Sequence, residues 1–383
     1  MKRVAITGVG IVDALGNNYK TCFENLLNDT DPIGPITKID FEKYKNIKVR
    51  IAAELHLPSE DRTPLYVRAA MSSVEQAINS SGVIPNENVA IVYSTLGAGS
   101  VRNIDYMAAL ESGKNKFSPK AMLEIQLDYL AGKIAQQYKI SGPSVSMNTS
   151  CSTFLNSLDY ACRLVDEYDY VIAGGSDTVV DPAHVWWFQQ FHALTQEHSR
   201  PFDQSRNGFV LGEGAGCLIL ESEDRARSRG AKIYGFVNGI GLATELEGLT
   251  GLNETAAKQA VSRALKKAGV NTVDFINAHA TSTVLGDELE YRVMKEYLPN
   301  VPMYSVKAKI GHTMAACGVI ELIYGLASLE NNIVPRTFGL TNPLADDSVL
   351  LTENLEKQCN TFIKNSYAFG GRCASVVVSK DHG

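Results

Sequence analysis

The stretch SVSMNTSCSTFLNSL, residues 144–158, sets a single cysteine, Cys151, among hydroxyl-bearing residues. It lies where an alternating pattern turns into apolar helical spacing. A buried thiol is most often a small hydrophobe, and from this stretch alone that reading stands first. The sharper reading is a nucleophile. A thiol at a helix N-terminus meets unpaired backbone N–H groups and the positive end of the macrodipole, and both favour thiolate. The same N–H groups can hold the oxyanion of an attacked thioester. Small and hydroxylic neighbours leave room for an acyl chain to approach. Cys162 and Cys217, inside apolar runs, read as structural, as do Cys317 and Cys373.

Two histidines shift the balance towards chemistry. His279 ends the strand-like run VDFINAHA, and His312 follows Gly311 ahead of the apolar run TMAACGVIELIYGLASL. His56, His184, His192, His198 and His382 have no comparable setting. One cysteine and two histidines are also a zinc ligand set. The intervals of 128 and 33 residues, with no local pair at metal spacing, argue against it. Covalent catalysis, with neutral imidazoles as hydrogen-bond donors, is the better use of the trio.

Elements must bring these distant residues together. At 383 residues the chain calls for one large α/β unit or two fused halves. Charged residues at 20% and a net charge of −6 argue against a general nucleic-acid or anionic-membrane binder. Seven irregularly spaced cysteines without a CxxC fit a reducing cytoplasm rather than a disulfide framework. MKRVAITGVGIV reads as a first strand and turn rather than a signal segment. No run approaches the roughly 20 apolar residues of a membrane span.

Short apolar runs alternate with helical patterns throughout. RVAITGVGIV, VAIVYST, YDYVIAGG, CLILES, FINAHA, MYSVK and ASVVVS read as strands, and PLYVRAAMSSVEQAINSSG reads as a helix stopped by glycine. ESEDRARSRGAK, residues 221–232, is the expected boundary between halves spanning 1–222 and 232–383. SVSMNT leads to Cys151 and its helix, and MYSVKAKIGH leads to His312 and its helix. A duplicated unit would bring these two helix starts together near a pseudo-twofold axis.

Six motifs now point one way. NTSCST, AGGSD, RPFDQSRNGFVLGEGAG, NAHATSTVLGDELE, SVKAKIGHTMAACG and FGGRCASVVVS occur in that order. In this the chain resembles the elongating β-ketoacyl-acyl-carrier-protein synthases, the ketosynthases of type II fatty-acid and polyketide pathways. The resemblance implies an α/β thiolase fold, with duplicated halves in a five-layered α-β-α-β-α sandwich. It implies that Cys151 accepts the acyl group, and that His279 and His312 promote malonyl decarboxylation and stabilise the enolate. Lys307 then stands as a structural and electrostatic lysine, with Glu321 as its partner acid. Thr281 and Thr283 fall where pantetheine is bound. Phe369 falls at a gate whose backbone N–H joins that of Cys151 in an oxyanion hole, with Gly370 and Gly371 making the loop mobile. No metal or organic cofactor is implied, since phosphopantetheine belongs to the partner acyl carrier protein. A homodimer, or a heterodimer with a chain-length-factor subunit, is expected.

The chain departs from the family pattern at Ala280, where glycine is usual, and at Arg372–Cys373, where the closing loop usually reads GGTN. Arg372 is expected to brace the loop through an ion pair, or else to meet a carrier phosphate or an unusual acyl chain. These departures suggest a specialised ketosynthase. An acidic carrier needs cations on an acidic enzyme, and Lys114, Lys116, Lys120, Arg62 and Arg68 are candidates, against an ordinary solvated face. Trp186, Trp187, Phe188 and Phe191 are expected mainly in the core, with a tunnel wall or dimer contact as the functional option. Two other functions remain open: acyl transfer without decarboxylation, and a non-catalytic partner subunit on the same fold.

Overall fold

The computed structural model describes residues 3–58, 63–97, 99–113, 119–245 and 254–381. Ten strands form one sheet. Five come from the first half of the chain: β1 (Val4–Asp13), β2 (Val89–Ser94), β3 (Ser144–Val145), β4 (Tyr170–Thr178) and β5 (Glu213–Ser222). Five come from the second: β6 (Gly235–Thr244), β7 (Phe275–Asn277), β8 (Met303–Tyr304), β9 (Thr361–Ala368) and β10 (Arg372–Ser379). The order is β8-β7-β9-β10-β6-β1-β5-β4-β2-β3.

Outward from the middle, each half runs first strand, fifth, fourth, second, third. In each, the two inner pairings are antiparallel and the two outer ones parallel. The halves meet where β1 pairs β6 through Val4–Val237, Ala5–Phe236 and Ile6–Gly235. The duplication is therefore written in the hydrogen-bond pattern itself.

Helices complete five layers. On the outer face of the first half lie α1 (Leu65–Ser81) and α2 (Tyr129–Tyr138), and on that of the second lies α5 (Glu254–Ala268), with α6 (Val284–Tyr297) packed on it. Between the halves run α3 (Thr153–Leu164) and α7 (Cys317–Asn331), each touching strands from both. Their sequences suit a central place. α7 is buried on every side from Cys317 to Leu329, and α3 buries Phe154, Leu155, Leu158, Ala161 and Cys162. Both helices begin beside the candidate chemistry.

The same packing device holds the outer helix of each half. A methyl group on Gly10 of β1 would lie 1.9 Å from the Ser73 carbonyl of α1, and one on Gly241 of β6 would lie 1.9 Å from the Ala260 carbonyl of α5. Only a bare backbone permits such an approach. Gly241→Ala is expected to lower stability by roughly 1–3 kcal/mol through overpacking. Gly132→Ala, which meets open space in α2, should raise it by up to about 1 kcal/mol. Paired thermal denaturation curves check both signs.

Several elements differ from expectation. SVSMNT is hydrogen-bonded as strand only at Ser144–Val145. The strand in MYSVKAKIGH ends at Tyr304, and Lys307–Ile310 is a single helical turn. His312 does not open the central helix directly, because a 3-10 turn, Met314–Ala316, comes first. Of the aromatic cluster on α4 (Pro182–Gln190) and its end, only Phe188 is buried. Trp186, Trp187 and Phe191 are nearly half exposed, which removes the expectation of core packing for them.

Candidate active site

The turn carrying Cys151 is tied by its own hydroxyls. Ser150 sits at φ 55°. Thr153 Oγ1 accepts the Thr149 N–H at 2.8 Å and donates to the Ser150 carbonyl at 2.5 Å, while Ser152 Oγ donates to the Thr149 carbonyl at 2.9 Å. The cysteine is thereby fixed just ahead of α3, buried against Cys317 and Ala368.

His312 is clamped by the segment FVLG. Its N–H donates to the Val210 carbonyl at 2.8 Å, and its carbonyl accepts the Gly212 N–H at 3.0 Å. The Phe209 ring stands edge-on to the imidazole at 5.3 Å. Nearby, Asp177 of the AGGSD motif accepts the N–H groups of Leu96, Gly97 and Ala315, tying both loops to the end of β4. His279 is held from behind by Glu290 of α6. That carboxylate accepts the His279 N–H at 2.9 Å and the Ala280 N–H at 2.7 Å. Ala280 takes no left-handed backbone angle and packs into the core of the second half, so the methyl group is accommodated without strain.

The three reactive groups meet at one cavity of about 470 Å³. His312 Nε2 lies 3.0 Å from Cys151 Sγ, and the two imidazole centroids are 5.5 Å apart and nearly perpendicular. Hydrogen bonding sets both tautomers. The Met314 N–H donates to His312 Nδ1 at 3.3 Å, and the Lys307 ammonium faces His279 Nδ1 at 3.4 Å. Neither partner can accept, so both Nδ1 atoms are acceptors and both protons sit on Nε2. The ligand atoms of Cys151, His279 and His312 lie within 4.8 Å of one another, close enough for a metal. With these tautomers the imidazole lone pairs point the other way, and a metal would need both rings switched and both Nδ1 contacts broken.

Burial, and then the Lys307 charge, push both imidazoles well below the ordinary histidine value. His312 and Lys364 add to the effect on His279, and Lys364 to that on His312. They are neutral donors at physiological pH. Burial opposes the charge of Lys307, but Glu321, together with Cys317 and Glu290, more than offsets it and the ammonium is held above its usual value. Lys307 also donates to the His279 carbonyl at 2.7 Å and pairs closely with Glu321. Cys151 departs from expectation. Burial pushes its thiol up to about 12, against the pull of Lys307 and of its own amide, while Glu321 and Asp177 add to the rise. The resting nucleophile is a thiol, and attack must be coupled to loss of its proton.

Thr281, Thr283 and Phe369 line the same cavity, together with Phe188, Phe191 and Tyr367. The two threonine hydroxyls are 3.2 Å apart. Their turn is fastened by Arg206, which donates to the carbonyls of Thr283 and Val284. Phe369, Gly370 and Gly371 form the tip between β9 and β10. The glycines take φ 87° and 69°, and Phe369 packs on Phe191 at 5.6 Å. Arg372 is exposed and makes no ion pair among the described residues, so the expected brace does not form.

Of the five carrier-patch candidates, the described residues include Lys120 and Arg68. Lys114, Lys116 and Arg62 lie outside the described residues. Lys120 is exposed and lies 4.0 Å from Glu124. Arg68 donates to the Thr63, Leu57 and Pro58 carbonyls. Sequence reasoning missed Glu290, Arg206 and Lys364. Lys364 left a signal, a charge inside the strand-like run TFIKNSYAF.

Comparison with known proteins agrees with this geometry. Residues 1–226 match the β-ketoacyl synthase N-terminal domain and residues 234–341 the β-ketoacyl synthase C-terminal domain. A 3-oxoacyl-[acyl-carrier-protein] synthase 2 of Coxiella burnetii is 32% identical, covering 99% of both chains. That of Rhizobium meliloti is 30% identical at the same coverage. Among solved structures, the ishigamide ketosynthase/chain length factor superposes with TM-score 0.90 at 26% identity, covering 99% of both chains. The ketosynthase complexed with its type II polyketide acyl-carrier protein gives TM-score 0.90 at 24% identity and 99% coverage of both. The duplicated sheet with its two central helices is the thiolase fold, and the chain belongs to the β-ketoacyl synthase family of acyltransferases.

Proposed function

We propose that Cys151, His279 and His312 carry out decarboxylative condensation between two acyl-carrier-protein thioesters. The Cys151 sulfur attacks the first thioester. An acyl–sulfur bond forms to the enzyme as the acyl–carrier bond breaks, and the cysteine proton leaves with the carrier thiol. The Phe369 and Cys151 N–H groups hold the oxyanion of this step. Malonyl-carrier protein then loses CO2, and its thioester oxygen, now enolate, is met by the two Nε2–H donors. The enolate carbon attacks the acyl group on Cys151. Sulfur leaves as thiolate and takes up a proton from water, and the carrier keeps a β-ketoacyl chain two carbons longer. One observation carries the reading above the others: two neutral imidazoles turn their N–H groups towards one cavity that, among the described residues, a single thiol, Cys151, lines.

Thr281 and Thr283 would bind the pantetheine arm, which the carrier supplies, so the enzyme needs no cofactor of its own. Lys307 with Glu321 holds His279 in its donor tautomer. Exposed Trp186, Trp187 and Phe191 favour a second subunit over that face, either a copy of the chain or a chain-length-factor subunit. Lys120 remains a carrier contact in this reading. Seven free cysteines fit a cytoplasmic location, and no helix among the described residues is long and apolar enough to cross a membrane. Intact-mass measurement with an acyl-carrier donor tests the loading step: an acyl adduct on Cys151 that disappears when malonyl-carrier protein is added supports the scheme, and no adduct refutes it.

The pH dependence has a definite sign. Protonation of either ring adds a charge in place of the neutral donor tautomer. Both rings titrate below the ordinary histidine range, so CO2 release is expected to persist as pH falls towards about 6, with its acid limb below the usual histidine value. Initial rates across buffers check this. An acid limb at or above the ordinary histidine value contradicts the neutral-donor assignment.

A further inference from the structure

Lys364 is fully buried in the middle of β9, where an ammonium needs a strong reason to be. Its Nζ lies 2.7 Å from Glu321 Oε2, an ion pair set off the hydrogen-bonding direction, and it donates to the neighbouring Asn365 carbonyl. The other oxygen of Glu321 takes Lys307. Lys307 in turn faces His279 Nδ1. One carboxylate thus bridges two ammoniums directly behind the imidazoles. Within the Lys307–Glu321–Lys364 cluster two positive charges meet one negative and leave one net positive charge, beside the buried Glu290 carboxylate that holds the His279 and Ala280 amides.

We propose that Lys364 is a positioning residue for the reaction: by balancing Glu321, it leaves Lys307 free to keep His279 and His312 as neutral Nε2–H donors. The inference rests on the condensation reading above. With Lys307 alone, Glu321 would cancel the cation behind the rings, and protonating an imidazole would become easier. The other groups facing the rings do not supply this charge. From α6 comes Glu290, a second buried carboxylate, which accepts the His279 and Ala280 amides and adds to the negative charge that the lysines offset. From α7 come Glu321 and the Cys317 thiol, from β9 comes Tyr367 at 6.0 Å from His279, and opposite stands the Cys151 thiol. Among these, the lysines are the only cations. The same strand serves the site a second time through Asn365, which donates to Glu290 at 3.0 Å.

The test separates charge from packing. Lys364→Met removes the ammonium at similar length and brings the cluster to zero net charge. Lys364→Met combined with Glu321→Gln restores one net positive charge while destroying the ion pair. Lys364→Arg keeps the charge. Imidazole titration by NMR on histidine-labelled full-length protein is read alongside the pH profile of CO2 release. Lys364→Met is expected to move the histidine titration up by about one pH unit and to cut the rate at acid pH about tenfold relative to alkaline pH. The double variant and Lys364→Arg should return the titration to the wild-type position.

An unmoved titration in Lys364→Met overturns the inference. So does a double variant as displaced as the single one, which would make the effect one of packing. If Lys364→Met fails to fold, the double variant decides: a wild-type titration supports the inference and an upward shift overturns it. Absence of CO2 release from the wild type overturns the functional reading, and with it the place of Lys364 in the reaction, whereas a failed titration with CO2 release intact overturns Lys364 alone.

Discussion

Cys151→Ala is expected to abolish acyl loading and to lower condensation by about four to six orders of magnitude, as loss of a nucleophile does elsewhere. The size follows from the absence of a substitute. Cys317 is close, but its sulfur is turned to the Cys151 carbonyl at 3.3 Å and burial holds its thiol above the usual range. It does not line the cavity. The hydroxyls around Cys151 are spent on the turn, with Ser152 and Thr153 donating to carbonyls behind it. The variant should fold, since the turn is held by those hydroxyls and not by the sulfur. Intact mass after incubation with an acyl-carrier thioester, beside a thermal melt, checks both halves of the expectation. An adduct on the alanine variant would place the nucleophile elsewhere.

The second large effect belongs to the histidines. His279→Leu and His312→Leu are each expected to slow CO2 release by about 10²–10³, the loss of one donor to a developing oxyanion, worth roughly 2.7–4 kcal/mol. The two rings act on one enolate, so the double variant should cost less than the sum of the singles. His312 also touches sulfur at 3.0 Å, so His312→Leu should slow acyl loading as well, whereas His279→Leu should spare it. Rapid-quench measurement of loading, set against CO2 release, resolves the two roles. Equal effects of both variants on loading would remove the distinction.

The reactive trio was legible because its residue types sit at places where secondary structure changes. A cysteine ahead of an amphipathic helix and a histidine after a glycine each mark a strand-to-helix corner, and local patterning reports such corners well. The machinery behind the trio was less legible because it is assembled across the chain. Glu290 reaches His279 from a helix that reads as an ordinary charged one. Lys364 and Asn365 break the apolar pattern of β9, so their polarity hid the strand whose purpose they reveal. β6 was missed for a related reason: GFVNGIGLAT carries three glycines, which read as turn residues. Two of them exist to admit α5, and their match to Gly8 and Gly10 in β1 is the trace of duplication that strand patterns alone did not show.

The resting state of the sulfur is the instructive miss. A helix start argues for thiolate, yet Cys151 is 5% exposed and desolvation outweighs the helix. Local sequence shows the dipole and not the walls that close around it. Lys307 and Glu321 were found in sequence through the family resemblance. The physical reason for them, an ammonium that fixes the tautomer of His279 from behind, emerges only when the distances are known.

The central claim is that one cavity couples acyl transfer to loss of CO2. Its most direct test is a single turnover of enzyme preloaded with an acyl group on Cys151 and given malonyl-carrier protein labelled at the free carboxyl. The account predicts that labelled CO2, free Cys151 and β-ketoacyl-carrier protein appear together in equal amounts. Release of the acyl group to the carrier or to water without CO2 would contradict it.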